Sequence, residues 1–340
     1  MSQIPVIDFA PFRDGSPEDA EATGKKIFEA FRDVGFVYLK NHGVPQEVVD
    51  EAFSWSKKLF DLPLSEKEKA PHPPEGWWHR GYSGIGREKV TQMVFDSDTL
   101  GELRKIPDVK ESFEMGREDD ETTPNIWLPE STIPGFRAFF NNFFEINHDV
   151  GQEILRAVAI GMGLDRDFFE SYHTMKDNQT RLLHYPPVEE EMLRQGEKER
   201  VAAHTDFATM TLLFQDDVGG LEVEDIHQTG VFNPVPYIPG TMVVNIADFL
   251  MRWSNDTLRS TMHRVRAPPV VNVDENGREK DGDSGGRRMS RARYSIPYFI
   301  VADKNKVIDC LPGCYGPDKP KKYEPIASGD YIAMRLNAIS

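Results

Sequence analysis

The hydrophobic periodicity of this 340-residue chain changes once, near Gln179, and that change sets the fold class. The longest helical pattern lies upstream, from Gly135 to Gly163. There Phe136, Phe139, Phe140, Phe143, Phe144, Val150, Ile154, Val158 and Met162 recur at three-to-four spacing and share one face. An aromatic stripe at that spacing is a face packed on a sheet rather than a cofactor slot. Downstream, short apolar runs at 180–185, 209–215, 221–224, 241–246, 260–265 and 294–301 predict strands, separated by turns such as Asp217-Val218-Gly219-Gly220 and Ile238-Pro239-Gly240. Short strands following helices imply an α+β protein. Its core would be a double-stranded β-helix (jelly-roll, cupin-like) buttressed by N-terminal helices and the long central one. Nearer the start, Ser16-Pro17 reads as a cap and first helical position of a helix running to about Asp33, with Ile27, Phe28 and Phe31 inward. Gly35 stops it and releases a strand over 36–40; a helix over 45–60 and a short one opening at Leu64 follow. The expected division is 1–125, 126–175 for the supporting helix, 176–303 for the jelly roll and 304–340 for a C-terminal segment, all one structural unit.

Within that strand-rich half stands His204-Thr205-Asp206, with His263 57 residues beyond Asp206. Alternate residues of a strand share a face, so His204 and Asp206 point one way and Thr205 the other. Two imidazoles and a carboxylate on one side of a metal leave the opposite positions open, the facial triad of a non-haem Fe(II) oxygenase. A lone His-x-Asp is weak evidence; the pattern further on strengthens it. Arg293 and Ser295, again two apart in a strand-like run, offer a guanidinium fork and a hydroxyl to a carboxylate. Tyr185, in Arg181-Leu182-Leu183-His184-Tyr185-Pro186-Pro187, supplies a phenol able to complete that pocket.

In this order of motifs the chain resembles the iron(II)/2-oxoglutarate oxygenases of the isopenicillin N synthase-like family, over nearly its whole length. The opening Ile4-Pro5-Val6-Ile7-Asp8-Phe9 is similar to the family's first strand, and Gly35-Phe36 through Asn41-His42-Gly43 to its N-terminal segment. The resemblance implies that His204, Asp206 and His263 ligate iron, and that Arg293 and Ser295, with Tyr185, hold the far carboxylate of 2-oxoglutarate. The implied cofactors are Fe(II), 2-oxoglutarate and O2, with no catalytic residue beyond the metal centre. Leu183 stands where plant-type members carry asparagine, and the 30 residues from His263 to Arg293 exceed the family's usual gap. A narrower likeness is to fungal members of the thymine 7-hydroxylase type, carried by the segments starting at Arg80, Lys110 and Trp253. It implies substrate contacts from Arg181, Phe207 and Phe299, Phe207 replacing the expected tyrosine. The implied activity is oxidation, by default hydroxylation, of a C–H bond in a small molecule, a nucleobase or a fungal secondary metabolite. Succinate and CO2 would be released. Two alternatives stay open: an oxidase of the same fold that uses no 2-oxoglutarate, and a non-catalytic small-molecule binding protein.

The formal charge of −16 argues against nucleic acid and anionic membranes as partners. No apolar stretch reaches spanning length, and the first residues lack a secretory signal's basic start and apolar run. Cys310 and Cys314 are too few for a zinc site and suit reduced thiols, so a cytoplasmic location is expected. Residues Asn272 to Ser290, polar and glycine-containing, predict a solvated, poorly ordered loop between two strands. Arg264, Arg266, Arg287, Arg288 and Arg291 read as a basic edge beside it. His42, His184 and His227 lack partners at ligand spacing, and Asp248 is expected to shape a turn. Tyr298 divides evenly between chamber wall and core, as do Phe207 and Phe299 judged from the residues alone.

Overall fold

The structure is a computed structural model, describing residues 4–75, 78–87, 108–189, 192, 200–266, 270–273 and 287–339. The N-terminal part holds β1 (Val6–Asp8), α1 (Ala10–Asp14), α2 (Pro17–Asp33), β2 (Phe36–Lys40), α3 (Gln46–Phe60), α4 (Leu64–Lys67), β3 (Gly81–Ser83) and β4 (Glu111–Gly116). The long helix α5 (Phe136–Gly161) follows, then β5 (Gln179–Tyr185), β6 (Val201–His204), β7 (Met210–Gln215), β8 (Leu221–Asp225), β9 (Gln228–Pro234) and β10 (Thr241–Ile246). The remainder is α6 (Asp248–Trp253), β11 (His263–Val265), β12 (Val270–Val273), β13 (Arg287–Ser290), β14 (Arg293–Ile300), β15 (Val307–Ile308), β16 (Ile326–Ala327) and α7 (Ser328–Ile339).

Two sheets make the jelly roll. The larger runs β1-β2-β10-β7-β14-β5-β4-β3 and the smaller β6-β11-β8-β9. Only β1–β2 is parallel in the larger sheet; its other pairs are antiparallel. The period of two along its strands sorts side chains between two cores. In β2, Val37 and Leu39 join the cluster under the helices, whereas Phe36 and Tyr38 join a second cluster between the sheets. In β14, Ile296, Tyr298 and Ile300 face the helices, while Arg293, Ser295, Pro297 and Phe299 face the interior of the roll.

The aromatic stripe of α5 lies on the outer face of this sheet. Phe143 meets Phe214 edge-on with centroids 5.9 Å apart, and Phe144 meets Tyr298 at 5.3 Å. Helix α2 crosses α5 where backbones touch: a Cβ on Gly161 would sit 2.3 Å from the Gly24 carbonyl oxygen. Ser16 caps α2 as expected, accepting from the Asp19 N–H while the Asp19 carboxylate accepts from the Ser16 N–H.

Three expectations need correction. The solvated loop is shorter at both ends, because β12 and β13 pair in register Val270↔Ser290 to Val273↔Arg287; residues 274–286 lie outside the described ones. Valines 270, 271 and 273 favour the pleated conformation, and buried Ser290 is tied to Val188 N–H and Arg200 through its hydroxyl. The strand carrying His263 begins at that residue rather than at Ser260; Thr261 donates its hydroxyl proton to the Val34 carbonyl instead of joining a ladder. The strand expected to carry His204 and Asp206 ends at His204, which leaves Asp206 on the turn that follows. Strands β3, β4 and β9 and helix α7 are further elements beyond those expected. The described helices include none long and apolar enough to cross a membrane.

Candidate active site

His204 ends β6 and lies directly across the ladder from His263 in β11, with ring centroids 4.3 Å apart. Asp206, on the turn following β6, sits between them: its Oδ1 is 3.8 Å from His204 Nε2 and 3.6 Å from His263 Nε2. One ligand atom from each of the three falls within 4.8 Å of the others. The remaining polar atoms are spoken for. His204 Nδ1 is 2.9 Å from the Ala202 carbonyl and His263 Nδ1 3.2 Å from that of Thr261. A proton on each Nδ1 satisfies those carbonyls and leaves the Nε2 lone pairs facing inward. Asp206 Oδ2 accepts from the Thr211 hydroxyl at 2.6 Å and from Asn245 Nδ2 at 2.9 Å, so Oδ1 is the oxygen left to bind. This donor set, two neutral nitrogens and one carboxylate oxygen on one side, fits a divalent first-row metal with open positions opposite.

Electrostatics favour a neutral His204 and an ionised Asp206. Burial pushes the His204 imidazolium down to about 3, assisted by the neighbouring His263. Burial opposes ionisation of Asp206, but the two histidines and the Thr211 hydrogen bond hold its carboxyl well below the usual range. Burial also opposes protonation of His263, and the charge and hydrogen bond of Asp206 outweigh it, raising that residue.

The same cavity reaches Arg293, Ser295 and Tyr185. Arg293 is 1 % exposed; its Nη1 donates to Ser295 Oγ at 3.0 Å and its Nη2 to Gln215 Oε1 at 3.4 Å. Its Nε is buried and has no hydrogen-bond partner among the described residues. The Tyr185 ring, opposite Arg293 in the β5–β14 ladder, meets two guanidiniums, Arg293 at 5.1 Å and Arg200 at 5.6 Å from the ring centroid. Burial, followed by repulsion from Arg293, lowers Arg200 to about 10. No described carboxylate forms an ion pair with Arg293, so a buried fork stands ready for an anion.

On another wall stand Arg181, Phe299 and Lys110. Arg181 pairs with the buried Glu114 at 3.1 Å and donates to Ser112 Oγ at 3.3 Å; Lys110 Nζ is 3.9 Å from Asp108. Phe207 is not among the residues lining this cavity; its ring lies beneath the Arg335 guanidinium, 4.1 Å from centroid to Cζ. Tyr298 faces the helices, accepting from Asn178 and donating to the Phe144 carbonyl, and belongs to the core. His42 is buried and His227 exposed, while His184 binds Glu111 and stacks on Tyr294. Asp248 turns away from the triad. Arg264 pairs with Glu222 at 2.7 Å and covers the Phe232 ring, so it is more than a solvated edge.

Sequence reasoning missed Thr211, Gln215, Asn245 and Lys110. The first three occupy interior positions of β7 and β10, and their alternation with Leu212, Phe214 and Val244 carried the signal. Lys110 precedes β4, a strand that went unread.

Comparison with known proteins decides the family. Residues 4–130 match the family described as the N-terminal region of non-haem dioxygenases in morphine synthesis, and residues 176–302 match the 2OG-Fe(II) oxygenase superfamily. The chain belongs to the 2OG-Fe(II) oxygenase superfamily. Among similar proteins of this superfamily is the 2-oxoglutarate-Fe(II) type oxidoreductase ppzD of Metarhizium majus, 36% identical across 99% of this chain and 96% of that one. The proline hydroxylase buaE of Petromyces alliaceus is 37% identical, covering 98% of each. The crystal structure of the full-length thymine 7-hydroxylase of Neurospora crassa with α-ketoglutarate and thymine superposes with a TM-score of 0.85 at 40% identity, over 98% of this chain and 96% of that one. The protein is a 2-oxoglutarate-dependent non-haem iron dioxygenase, using Fe(II) and 2-oxoglutarate. Of the three readings open from the sequence, the family and its relatives support this one.

Proposed function

We propose that His204, Asp206 and His263 hold the Fe(II), that Arg293 and Ser295 with Tyr185 hold the 5-carboxylate of 2-oxoglutarate, and that the enzyme hydroxylates a neutral, carbonyl-bearing small molecule. The observation carrying the proposal is the convergence of three ligand atoms within 4.8 Å in one cavity with a buried guanidinium that makes no direct ion pair with a described carboxylate, Asp216 acting on it only from a distance. When bound, Fe(II) and 2-oxoglutarate supply O2-dependent oxidation of a C–H bond, with succinate and CO2 as co-products.

The chain's own residues bind, orient and exclude. Thr211 and Asn245 immobilise Asp206 Oδ2 and thereby aim Oδ1. Ser295 and Gln215 hold the Arg293 fork in place before any anion arrives, so little ordering remains for binding. The interior walls are apolar around these groups, including Phe36, Leu183 and Leu213, which excludes bulk water.

Charge balance points to the substrate class. Among the described residues, Lys110 and Arg181 bring two positive charges to the substrate wall, and Asp108 and Glu114 bring two negative ones close to them. A wall whose described charges balance, yet which carries N–H donors, suits carbonyl oxygens of an uncharged cyclic amide or imide better than a free carboxylate. Phe299 offers a flat ring to such a molecule. A nucleobase fits this description, and so does an amide-containing fungal metabolite; the Neurospora relative was crystallised with thymine and with 5-formyluracil. A cytoplasmic location draws support from the two free thiols, Cys310 and Cys314.

The test is succinate formation with Fe(II) and 2-oxoglutarate in air, across thymine, 5-formyluracil, cyclic dipeptides and free proline. Stimulation by a neutral cyclic amide or imide, abolished in His263→Ala, is expected. Stimulation by free proline alone would overturn the substrate class, and retained turnover in His263→Ala would overturn the metal assignment.

A further inference from the structure

We propose that Arg335, on the C-terminal helix α7, is a positioning residue for the metal-carrying turn, acting through Asp248 and Phe207. Arg335 lies 129 positions beyond Asp206 in the chain, yet it reaches both neighbours of that carboxylate. Its Nη1 donates to Asp248 Oδ2, and the same oxygen accepts the Thr205 hydroxyl at 2.8 Å. Its guanidinium plane covers the Phe207 ring at 4.1 Å. Thr205 and Phe207 therefore both report to one cation, with Asp206 between them. The backbone closes the same clamp: Asp248 N–H donates to the Asp206 carbonyl at 2.9 Å and Phe249 N–H to that of Ala208 at 3.2 Å.

Stability alone does not explain this pair. Arg335 is 2 % exposed and Asp248 4 %, so both ions are stripped of water. Tyr331 OH accepts a second bond from Arg335 Nη1 at 3.1 Å, but Nη2 is buried without a partner among the described residues. A buried ion pair of this kind gains little over well-packed apolar side chains; what it fixes is geometry. Here the geometry concerns the one turn in which a residue before and a residue after a metal-binding carboxylate must both stay put. Partners that hold ligands in orientation commonly influence metal affinity by roughly 10–100-fold.

The inference rests on the triad holding Fe(II), and the experiment separates the two. Anaerobic calorimetry measures Fe(II) affinity in the full-length parent, in His263→Ala, and in Arg335→Ala, Arg335→Lys and Thr205→Val, alongside the melting temperature of each metal-free protein. Arg335→Ala is expected to weaken Fe(II) binding roughly 10–100-fold, Arg335→Lys to recover part of that, and Thr205→Val to act in the same direction. Absence of Fe(II) binding in the parent overturns the metal assignment and this inference with it. Parental affinity in the Arg335 variants, whatever their melting temperatures, overturns this inference alone. Should Arg335→Ala not fold, Arg335→Lys and Thr205→Val decide: parental affinity in both sinks the clamp.

Discussion

At the scale of single residues, the site works by using up the wrong atoms. Asp206 has two oxygens, and Thr211 and Asn245 occupy one of them, so the other faces His204 and His263 without competition. The same logic governs Arg293, whose two terminal nitrogens each touch one neutral acceptor, leaving its charge for an incoming carboxylate. Replacing it with alanine removes a buried, hydrogen-bonded charge partner, a change that costs roughly 2–5 kcal/mol when the other ion stays behind. Arg293→Ala is therefore expected to raise the 2-oxoglutarate KM by about 30-fold or more. Arg293→Lys should recover only part, because an ammonium keeps the charge but not the fork. The measurement is succinate formed as 2-oxoglutarate is varied at saturating substrate. A KM equal to the parent's in both variants would remove Arg293 from the anchor.

At the scale of elements, strand alternation explains both what the sequence revealed and what it concealed. Strand β14 was legible because Arg293 and Ser295 alternate with apolar Ile296, Tyr298 and Ile300, so its two faces read directly from the residues. Strand β9 was not, since Gln228–Pro234 is an exposed edge with no apolar face to reveal it. Asn245 and Thr211 stand opposite each other only because β10 pairs with β7 in one register, and register lies in pairing partners rather than in either strand. Arg335 was beyond reach for the same reason, its partners being set by how α7 packs. Gly35 shows an element boundary fixed by backbone. Its φ of +80° and a Cβ that would stand 2.5 Å from the Arg259 carbonyl and 2.6 Å from Thr261 Oγ1 leave no room for a side chain. Thr261 lies two residues before His263 and its carbonyl meets the His263 ring, so crowding at Gly35 is transmitted toward His263. Gly163 has a similar φ of +72° with nothing within 4 Å. Gly163→Ala should cost only the left-handed strain, about 1 kcal/mol, and Gly35→Ala that plus displacement of the segment before β11, in all about 3 kcal/mol or more. Denaturant melts of the two variants check the order. Equal losses would mean the contact at Gly35 yields freely.

Over the whole molecule, the fold keeps several histidines uncharged in its interior, and this sets how it responds to acid. Burial lowers His42 to about 4, with the Arg13 charge adding to the effect, and burial likewise lowers His173 to about 4. Each has a neutral role: His42 Nδ1 accepts the Val44 N–H at 3.2 Å, and His173 lies between the Phe169 carbonyl and the Thr209 hydroxyl. The unfolded chain titrates these groups near 6.5, so below that pH it binds protons that the folded protein refuses. The sign follows. Their contribution is fully present above pH 6.5 and declines as pH falls toward 4, by up to about 3 kcal/mol for each at the lower end. Carboxylates held low in the fold, such as Asp120, lose their own contribution only at still lower pH, and so do not account for a decline that begins near 6. Unfolding free energies from urea melts between pH 7.5 and 4.5 should therefore fall steeply for the parent. In His42→Asn the absolute stability will differ, but the slope against pH should be shallower by one histidine's share, because that proton uptake is gone from the unfolded state. A variant whose slope matched the parent's throughout this range would show that the folded protein protonates His42 as readily as the unfolded chain does.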